Sequence, residues 1–282
     1  MTRNFAILND VTKCIGCEEC VAACQKIHHL EPVTPNAPSP RIETAADGLE
    51  ASRWCSVIRR SGGVYVKKQC RHCVEPACVS VCPVGALQKT PEGPVIWDGH
   101  RCIGCRYCMM TCPYGVVRFT WDLAVPSIRK CTLCYEEIKS GRIDAPACVT
   151  ACPTQATIFG TREALLAEAH RRLRAEPTKY IQHVWGEHEV GGTSVLYISH
   201  VDLSFLGWTN PRKLSGVDLP NTTWDVLKMV PFEFLGMGAL MGSIWWVIER
   251  RMRLEREASA ESAKDTSTAT SSENNGTGDD AS

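Results

Sequence analysis

The chain has 282 residues, enough for one large domain or two small ones, and its formal net charge is zero. Because basic and acidic residues balance, the composition indicates no nucleic-acid partner. Cysteine is the unusual residue, with 17 copies, whereas aromatic residues make up only 7% of the chain. We expect a thin apolar core here, so metal ligation has to supply part of the folding free energy.

The first half of the chain alternates short strand patterns with cysteine runs. A strand is predicted within residues 4–13, directly before the first run. Prolines and an Ala-Ala-Asp-Gly stretch follow, and they predict irregular chain over residues 31–50, within an insertion loop over residues 31–62. Further strands are predicted at residues 64–66, 94–98 and 116–121.

After residue 152 the sequence changes character. A strand is predicted at residues 157–160, followed by Thr161 as the N-cap of a helix over residues 162–175. The apolar face of that helix consists of Leu165, Leu166, Ala169 and Leu173. A strand is predicted at residues 195–201, and residues 202–224 are predicted to be mostly irregular.

Residues 229–248 form an apolar run in which Glu233 is the one charged residue. About twenty residues of helix span roughly 30 Å, the hydrocarbon thickness of a bilayer. We therefore expect a transmembrane anchor over residues 226–250 in contact with membrane lipid, with Glu233 near the outer interface. The alternative is a buried amphipathic helix, which the apolar character on all sides disfavours.

Four arginines follow the apolar run, at positions 250, 251, 253 and 256. The positive-inside rule then places the C-terminus in the cytoplasm and the cysteine-rich domain on the periplasmic side of the inner membrane. Residues 251–282 are rich in small polar residues towards the end and predict a disordered cytoplasmic tail. The N-terminus has neither a twin-arginine motif nor an apolar signal region, so no cleavable signal is predicted.

Sixteen of the cysteines fall into four quartets. The quartets are Cys14, Cys17, Cys20 and Cys24; Cys70, Cys73, Cys78 and Cys82; Cys102, Cys105, Cys108 and Cys112; and Cys131, Cys134, Cys148 and Cys152. The first and third read C-x2-C-x2-C-x3-C, the bacterial spacing for cubane iron–sulfur clusters, and the last three end in Cys-Pro. Sixteen thiolates are enough for four [4Fe-4S] clusters, which indicates an electron-transfer protein.

Zinc binding and disulfide formation are the two alternative uses of the cysteines. Zinc needs four ligands, usually in two C-x2-C pairs, and quartets two and four could be interpreted in this way. The two C-x2-C-x2-C-x3-C runs are typical of clusters rather than of zinc. Disulfides are disfavoured by the odd cysteine count, the ligand-type spacing and the missing signal.

Two consecutive quartets flanked by strands make one ferredoxin-like unit, so four quartets predict an internal repeat. The fold class predicted is α+β, with tandem, pseudo-twofold bacterial ferredoxin-like modules of two [4Fe-4S] clusters each and a single C-terminal transmembrane helix. The domains predicted are residues 1–160 for the four clusters, 161–225 for a helix and strand extension, 226–250 for the anchor and 251–282 for the tail.

The quartets and their surroundings resemble a known family. The relevant motifs are Tyr-Val-Lys-Lys-Gln-Cys-Arg-His-Cys at 65–73, Cys-Ile-Gly-Cys-Arg-Tyr-Cys at 102–108, Lys-Cys-Thr-Leu-Cys at 130–134 and Phe-Gly-Thr-Arg-Glu at 159–163. They resemble the four-cluster iron–sulfur (beta) subunits of membrane-bound oxidoreductases, in particular those of formate dehydrogenase-N and hydrogenase-2. Over residues 5–250 the resemblance includes the anchor.

The resemblance implies the ligand set of each cluster. Set A is Cys14, Cys17, Cys20 and Cys152; set B is Cys24, Cys131, Cys134 and Cys148; set C is Cys70, Cys73, Cys78 and Cys112; set D is Cys82, Cys102, Cys105 and Cys108. Each set thus takes its fourth cysteine from the partner quartet. Without a signal of its own, the chain resembles the formate dehydrogenase subunit, which is exported with a signal-bearing partner.

The resemblance also implies the function. The chain would relay electrons between a catalytic subunit, of molybdenum, tungsten or nickel–iron type, and a membrane subunit such as a quinone-linked cytochrome b. A terminal-reductase subunit and a soluble polyferredoxin are the alternatives. The sequence contains no phosphate loop, catalytic triad or metal set outside the cysteines, so we expect no catalysis by the chain alone.

A few residues outside the quartets are candidates for a lesser role. Cys55 is either a redox thiol or a small buried residue, and the second interpretation is favoured. His72 could tune a cluster but is expected to be a polar neighbour. His183 and His188 are expected to be solvated. Positive charges that could offset the clusters are Arg118, Arg129 and Lys130.

Overall fold

The computed structural model describes residues 4–30, 47–121, 127–206 and 219–273. Among these residues the strands are β1 Phe5–Asp10, β2 Cys55–Arg60, β3 Val64–Gln69, β4 Leu87–Lys89, β5 Val95–Trp97, β6 Arg118–Phe119, β7 Ile128–Arg129, β8 Thr157–Thr161 and β9 Val195–Ile198. The helices are α1 Glu19–Ile27, α2 Ala77–Ser80, α3 Tyr107–Thr111, α4 Tyr135–Lys139, α5 Ala147–Thr150, α6 Arg162–Ala175, α7 Leu219–Leu227 and α8 Val230–Glu273. This mixture of helix and strand agrees with the predicted α+β class.

Strand β1 is the middle strand of a three-stranded sheet. It pairs antiparallel with β8 and parallel with β9. Because side chains alternate along a strand, Ala6 and Leu8 face one core and Ile7 faces another. The first core contains α6, and the second contains cysteines of the quartets. The sheet therefore lies between α6 and the cysteine-rich region.

Helix α6 is confirmed as the sequence predicts it. The Thr161 hydroxyl accepts a hydrogen bond from the Ala164 N–H at 3.3 Å, which caps the first turn. Leu165, Ala169 and Leu173 lie one helical turn apart and are buried against the sheet. This packing covers one face of the sheet with α6, and the cysteine-rich region packs on the other face.

The predicted insertion loop over residues 31–62 contains a strand in its last part, which is not predicted from the sequence. Residues 55–60 form β2, which pairs antiparallel with β3 along its whole length. Gly62 and Gly63 turn the chain at φ values of 88° and 80°, which favour glycine. The Ser-Gly-Gly turn therefore makes a hairpin. Residues 31–46 lie outside the described residues.

Two smaller hairpins lie among the quartets. Strands β4 and β5 pair across the predicted turn, where the Gly93 N–H donates to the Thr90 carbonyl at 3.0 Å. Strands β6 and β7 form only two residue pairs, so the strand predicted over residues 116–121 is shorter than expected. Likewise β9 ends at Ile198, before the predicted end at residue 201.

The chain divides into two units, residues 1–222 and 223–282. Residues 219–227 form α7 where irregular chain is predicted, and residues 207–218 lie outside the described part. In the second unit α8 runs on to Glu273, into the segment predicted to be disordered from residue 251. Glu, Arg and Ala predominate after residue 248, and these residues favour helix.

One stretch of α8, Val230–Ser259, is long and apolar enough to cross a membrane, and none of its most apolar window is buried. That exposure disagrees with the alternative of a buried amphipathic helix. Glu233 lies in the first turn of α8. The guanidinium of Arg250 lies 5.5 Å from the centre of the Trp246 ring. An exposed apolar helix of this length fits a membrane anchor.

Candidate functional site

The first and third quartets have the same backbone shape. Gly16 and Gly104 lie at φ 73° and 69°, and Glu18 and Arg106 lie at φ 61° and 65°. Two left-handed residues among three consecutive positions fold the loop tightly before α1 and α3 begin. Such a loop brings its first three cysteines close to one another.

Position 16 requires glycine because of a neighbouring side chain as well as because of its left-handed backbone conformation. A Cβ at this position would lie 2.3 Å from the ring of Tyr65, on strand β3. Because real Cβ atoms do not approach ring atoms so closely, any other residue would displace the loop. The first quartet is therefore pressed directly against the β2–β3 hairpin.

The second and fourth quartets share a different shape. His72 and Leu133, each between the first two cysteines of its quartet, lie at φ 46° and 59°. The short helices α2 and α5 then follow Pro76 and Pro146 and carry the third cysteine of each quartet. The four quartets thus alternate between two local structures along the chain.

The Cys-Pro turns surround the last thiol of a quartet with backbone N–H groups. Burial would raise the pKa of Cys82, yet the N–H groups of residues 84–87 lower it, and the Ala86 N–H lies 3.2 Å from its Sγ. Burial would also raise the pKa of Cys152, but the Thr157 N–H and the Thr154 hydroxyl lower it overall. These turns favour the thiolate, the form that binds metal.

The thiols of set A lie within electrostatic reach of one another. Burial raises the pKa of Cys14 to about 11, and repulsion from Cys20, Cys152 and Cys17 adds to the effect. All four line a single cavity together with Tyr65. Cys152 is far away in sequence, and its place beside the first quartet follows from the pairing of β1 with β8.

The thiols of set B also lie within electrostatic reach of one another. A hydrogen bond with Cys55 lowers the pKa of Cys24, but burial and repulsion from the remaining three thiols raise it overall. Those three thiols are Cys131, Cys148 and Cys134. Helices α1 and α5 pack against each other and so place Cys24 beside Cys148.

Sets C and D complete the pattern. Burial raises the pKa of Cys73, assisted by its neighbours Cys70, Cys112 and Cys78. The four thiols of set C line a second cavity. Burial also raises the pKa of Cys108 to about 11, assisted by its neighbours Cys105, Cys102 and Cys82.

Four converging thiols are a donor set that suits an iron–sulfur cluster. Buried thiolates repel one another, as the raised pKa values of Cys14 and Cys73 indicate, and cationic iron removes that repulsion. The residues therefore fit the group. The four groups coincide with the ligand sets that the family resemblance implies, but ligation by each set stays a prediction.

The sets adjoin one another in the order A, B, C, D. Cys20 and Cys24, of sets A and B, pack in one apolar cluster. Burial is the largest cause of the raised pKa of Cys131 in set B, and repulsion from Cys70 of set C raises it further. Burial likewise raises the pKa of Cys78 in set C most, and repulsion from Cys108 of set D adds to it. Only the two end sets contain an exposed cysteine among the described residues, Cys17 and Cys105.

Comparisons with known proteins agree with this site. Residues 62–162 match the family of 4Fe-4S dicluster domains. The chain is 37% identical over 240 residues to the hydrogenase-2 operon protein HybA of Escherichia coli O157:H7, with 70% of each chain covered. It is 33% identical over 249 residues to the formate dehydrogenase iron-sulfur subunit of Haemophilus influenzae, with 84% of this chain and 77% of that one covered. The chain belongs to the family of oxidoreductase iron–sulfur subunits.

As a member of this family, the chain carries iron–sulfur clusters, and its remaining candidate residues take definite places around them. His72 is fully buried, and its Nδ1 accepts a hydrogen bond from the Val95 N–H at 2.9 Å. The Lys130 ammonium lies close to set C and lowers the pKa of Cys78, against the larger effect of burial. It also donates to the carbonyl groups of Val95 and Cys131.

The other candidates have defined partners. Arg118 binds the carboxylate of Asp47 at 2.5 Å, so it holds the chain before β2. Arg129 packs on the ring of Trp97. His188 is solvated as expected, but His183 is partly buried and lies 2.7 Å from Glu189.

Sequence reasoning misses two residues of this iron–sulfur subunit that contact the sets. His28 lies beside Cys134, and Lys67 lies among thiols of sets A and B. Cys55 is buried, as the favoured interpretation expects, and it packs with Cys20 and Cys24. The odd number of cysteines was the one available signal. It marked Cys55 as unusual without showing where the fold places it.

Proposed function

We propose that this chain relays electrons through four [4Fe-4S] clusters, held by sets A to D, between a catalytic subunit and a quinone-linked membrane subunit. The observation that carries the proposal is the unbroken order of the four sets, with an exposed cysteine in each end set. The clusters supply one-electron redox chemistry when bound. The chain's residues position them, bury the inner sets and leave the outer sets open to partners.

The repeat of local structures supports two tandem modules. Quartets one and three share one loop shape, and quartets two and four share another. We propose that quartets one and four form one ferredoxin-like module and quartets two and three form the other. In each module, one quartet then completes the set of its partner.

The exposed apolar stretch of α8 supports a single-pass anchor. We propose that the cysteine-rich unit lies on the periplasmic side of the inner membrane and that the arginines after residue 249 lie in the cytoplasm. Reporter fusions after residue 260 test this orientation. Fluorescent protein there should fluoresce and alkaline phosphatase should stay inactive, whereas the reverse result would invert the topology.

The partners are proposed from the relatives. Relatives named as a hydrogenase-2 operon protein and a formate dehydrogenase iron-sulfur subunit favour a catalytic subunit of nickel–iron, molybdenum or tungsten type. The absence of a catalytic constellation in the sequence supports a chain that is no enzyme on its own. A cytochrome b or similar quinone-interacting subunit is proposed as the membrane partner, contacted near α8.

The deciding experiment is to purify the full chain with its natural partners in mild detergent and to analyse metal, sulfide and co-purifying subunits. We expect at least about sixteen iron and sixteen sulfide atoms per copy of this chain, as four [4Fe-4S] clusters require, with iron bound by the partners in addition. A catalytic subunit and a membrane subunit should co-purify. Zinc in place of iron, or iron for only two clusters, would contradict the proposal.

A further inference from the structure

Cys55 lies at the boundary between two cluster sets. It opens strand β2, is only 2% exposed, and its Sγ lies 3.5 Å from the carbonyl oxygen of Cys20. Cys20 and Cys24 are four residues apart on α1, so they share one face of that helix. The Cys55 side chain packs in one cluster with both of them. One thiol therefore touches a ligand of set A and a ligand of set B.

A buried lysine lies at the same boundary. Lys67, on strand β3, is 5% exposed, and its Nζ has no oxygen or nitrogen acceptor among the described residues. The sulfurs that lie near it are those of Cys148, Cys20 and Cys55. Cys20 is in set A and Cys148 is in set B, so the ammonium, like the Cys55 thiol, faces both sets.

An ammonium without oxygen acceptors needs a negative partner inside a protein. Burying an unpaired charge is strongly unfavourable, even after the protein relaxes. Lys67 lines the cavity of set A together with Cys14, Cys20 and Cys152. Ligand thiols lose their protons when they bind metal, so the sulfurs beside Lys67 supply the negative charge that its ammonium needs.

We infer that Lys67 and Cys55 are positioning residues that raise the reduction potentials of the centres held by sets A and B together. An ammonium that faces both sets stabilises added negative charge on either one. The single S–H proton of Cys55 can be donated to one ligand sulfur at a time, and such a hydrogen bond draws electron density from that sulfur and also favours the reduced state. The inference rests on the proposed ligation of clusters by these sets.

A purely structural role makes a different prediction. If Lys67 and Cys55 only filled space, an apolar residue of similar size would leave both potentials unchanged. Lys67→Met keeps most of the volume and removes the charge, whereas Lys67→Arg keeps the charge. Cys55→Ala removes the thiol donor. These variants therefore separate charge from volume.

The test is a redox titration, followed by electron paramagnetic resonance, of the complex purified with its natural partners. Signals are first assigned with one Cys→Ser variant in each set. At a fixed applied potential, Lys67→Met should lower the ratio of reduced to oxidised centre at least tenfold for sets A and B. For a one-electron couple, this corresponds to a reduction potential that is lower by at least 59 mV. Lys67→Arg should stay close to wild type, and Cys55→Ala should give a smaller shift in the same two signals.

Lys89→Met provides a matched control. The Nζ of Lys89 donates to the Cys73 carbonyl at 2.6 Å and lies among the thiols of set C. Its loss should shift the set C signal and leave sets A and B unchanged. A shift common to all four signals in any of these variants would indicate a general structural change and overturn the inference.

The remaining outcomes are also decisive. Unchanged potentials for sets A and B in an iron-replete Lys67→Met complex would overturn the inference. Loss of iron from Lys67→Met but not from Lys67→Arg would support the need for a positive charge, whereas loss from both would indicate a role in packing and overturn it. A wild-type complex without iron–sulfur clusters would instead refute the proposed function.

Discussion

The Nε2 atom of His28 lies 3.4 Å from the Sγ atom of Cys134. On its other side the Nδ1 atom lies 3.6 Å from the carboxylate of Glu137, and the ring packs on Trp54 with centroids 4.6 Å apart. The ligand atoms of His28, Cys134 and Glu137 lie within 4.8 Å of one another, as in a metal site. Since Cys134 belongs to set B, we assign His28 and Glu137 to the surroundings of that set.

Replacing His28 should change the potential of one centre. A ligand thiolate has no proton, so a hydrogen bond between Cys134 and His28 places the proton on Nε2. Loss of the donor in His28→Phe should lower the reduced-to-oxidised ratio of set B by up to about tenfold, because a hydrogen bond to a charged group contributes roughly 1.5 kcal/mol. A redox titration of the purified complex measures this ratio. His188→Phe, at an exposed position, is the control; an equal effect there would contradict the assignment.

Gly16→Ala should remove one cluster. The new Cβ would meet the Tyr65 ring at 2.3 Å, so the loop that carries the first three thiols of set A has to move. We expect loss of about four iron atoms per copy of the chain, as one cubane cluster would contribute. Gly141→Ala has the same left-handed backbone, φ 71° against 73°, but no atom within 4 Å of its new Cβ. It should keep its iron, and equal loss from both variants would show that backbone strain, not the contact with Tyr65, is responsible.

Cys108→Ser tests the pairing of the quartets. Cys108 has Cys105, Cys102 and Cys82 as its thiol neighbours, so its loss should remove the set D signal and disturb set C. The signals of sets A and B should stay nearly intact in electron paramagnetic resonance spectra. The mirror variant Cys17→Ser should leave sets C and D intact. Loss of a set A signal from Cys108→Ser would refute the ligand sets.

Truncation tests the anchor. A chain that ends at residue 225 lacks the apolar stretch Val230–Ser259, so it should leave the membrane fraction for the soluble one. A chain that ends at residue 259 keeps that stretch and should stay with the membrane. Fractionation followed by immunoblotting distinguishes the two. Membrane association of the shorter chain in cells without the partner subunits would contradict an anchor in α8.

The parts of the fold that local chemistry determines could be predicted from the sequence. Thr161 is a good N-cap followed by leucines at helical spacing, and α6 begins and ends where this pattern predicts. Quartet spacing likewise identified the thiols. Strand β2 was missed because the prolines before it outweighed its short apolar pattern, although Gly62 and Gly63 were a usable hairpin signal.

The contacts between distant segments could not be predicted. Lys67 is an ordinary lysine in the sequence, and only the docking of the β2–β3 hairpin on α1 places it among three thiols. The same holds for His28, which meets Cys134 across 106 positions of the chain. Periodicity and spacing report neighbours along one element, whereas these residues acquire their role from the tertiary fold.

The exposure of Cys17 and Cys105 has a consequence for the life of the chain outside its complex. Oxidants reach accessible sulfur first, and oxidation of a thiolate beyond the sulfenic acid is mostly irreversible. Damage would therefore begin at the two extreme sets, while the inner sets would still be sheltered. Partners that cover these two thiols would exchange electrons with the neighbouring clusters and would also protect the thiols from oxidation.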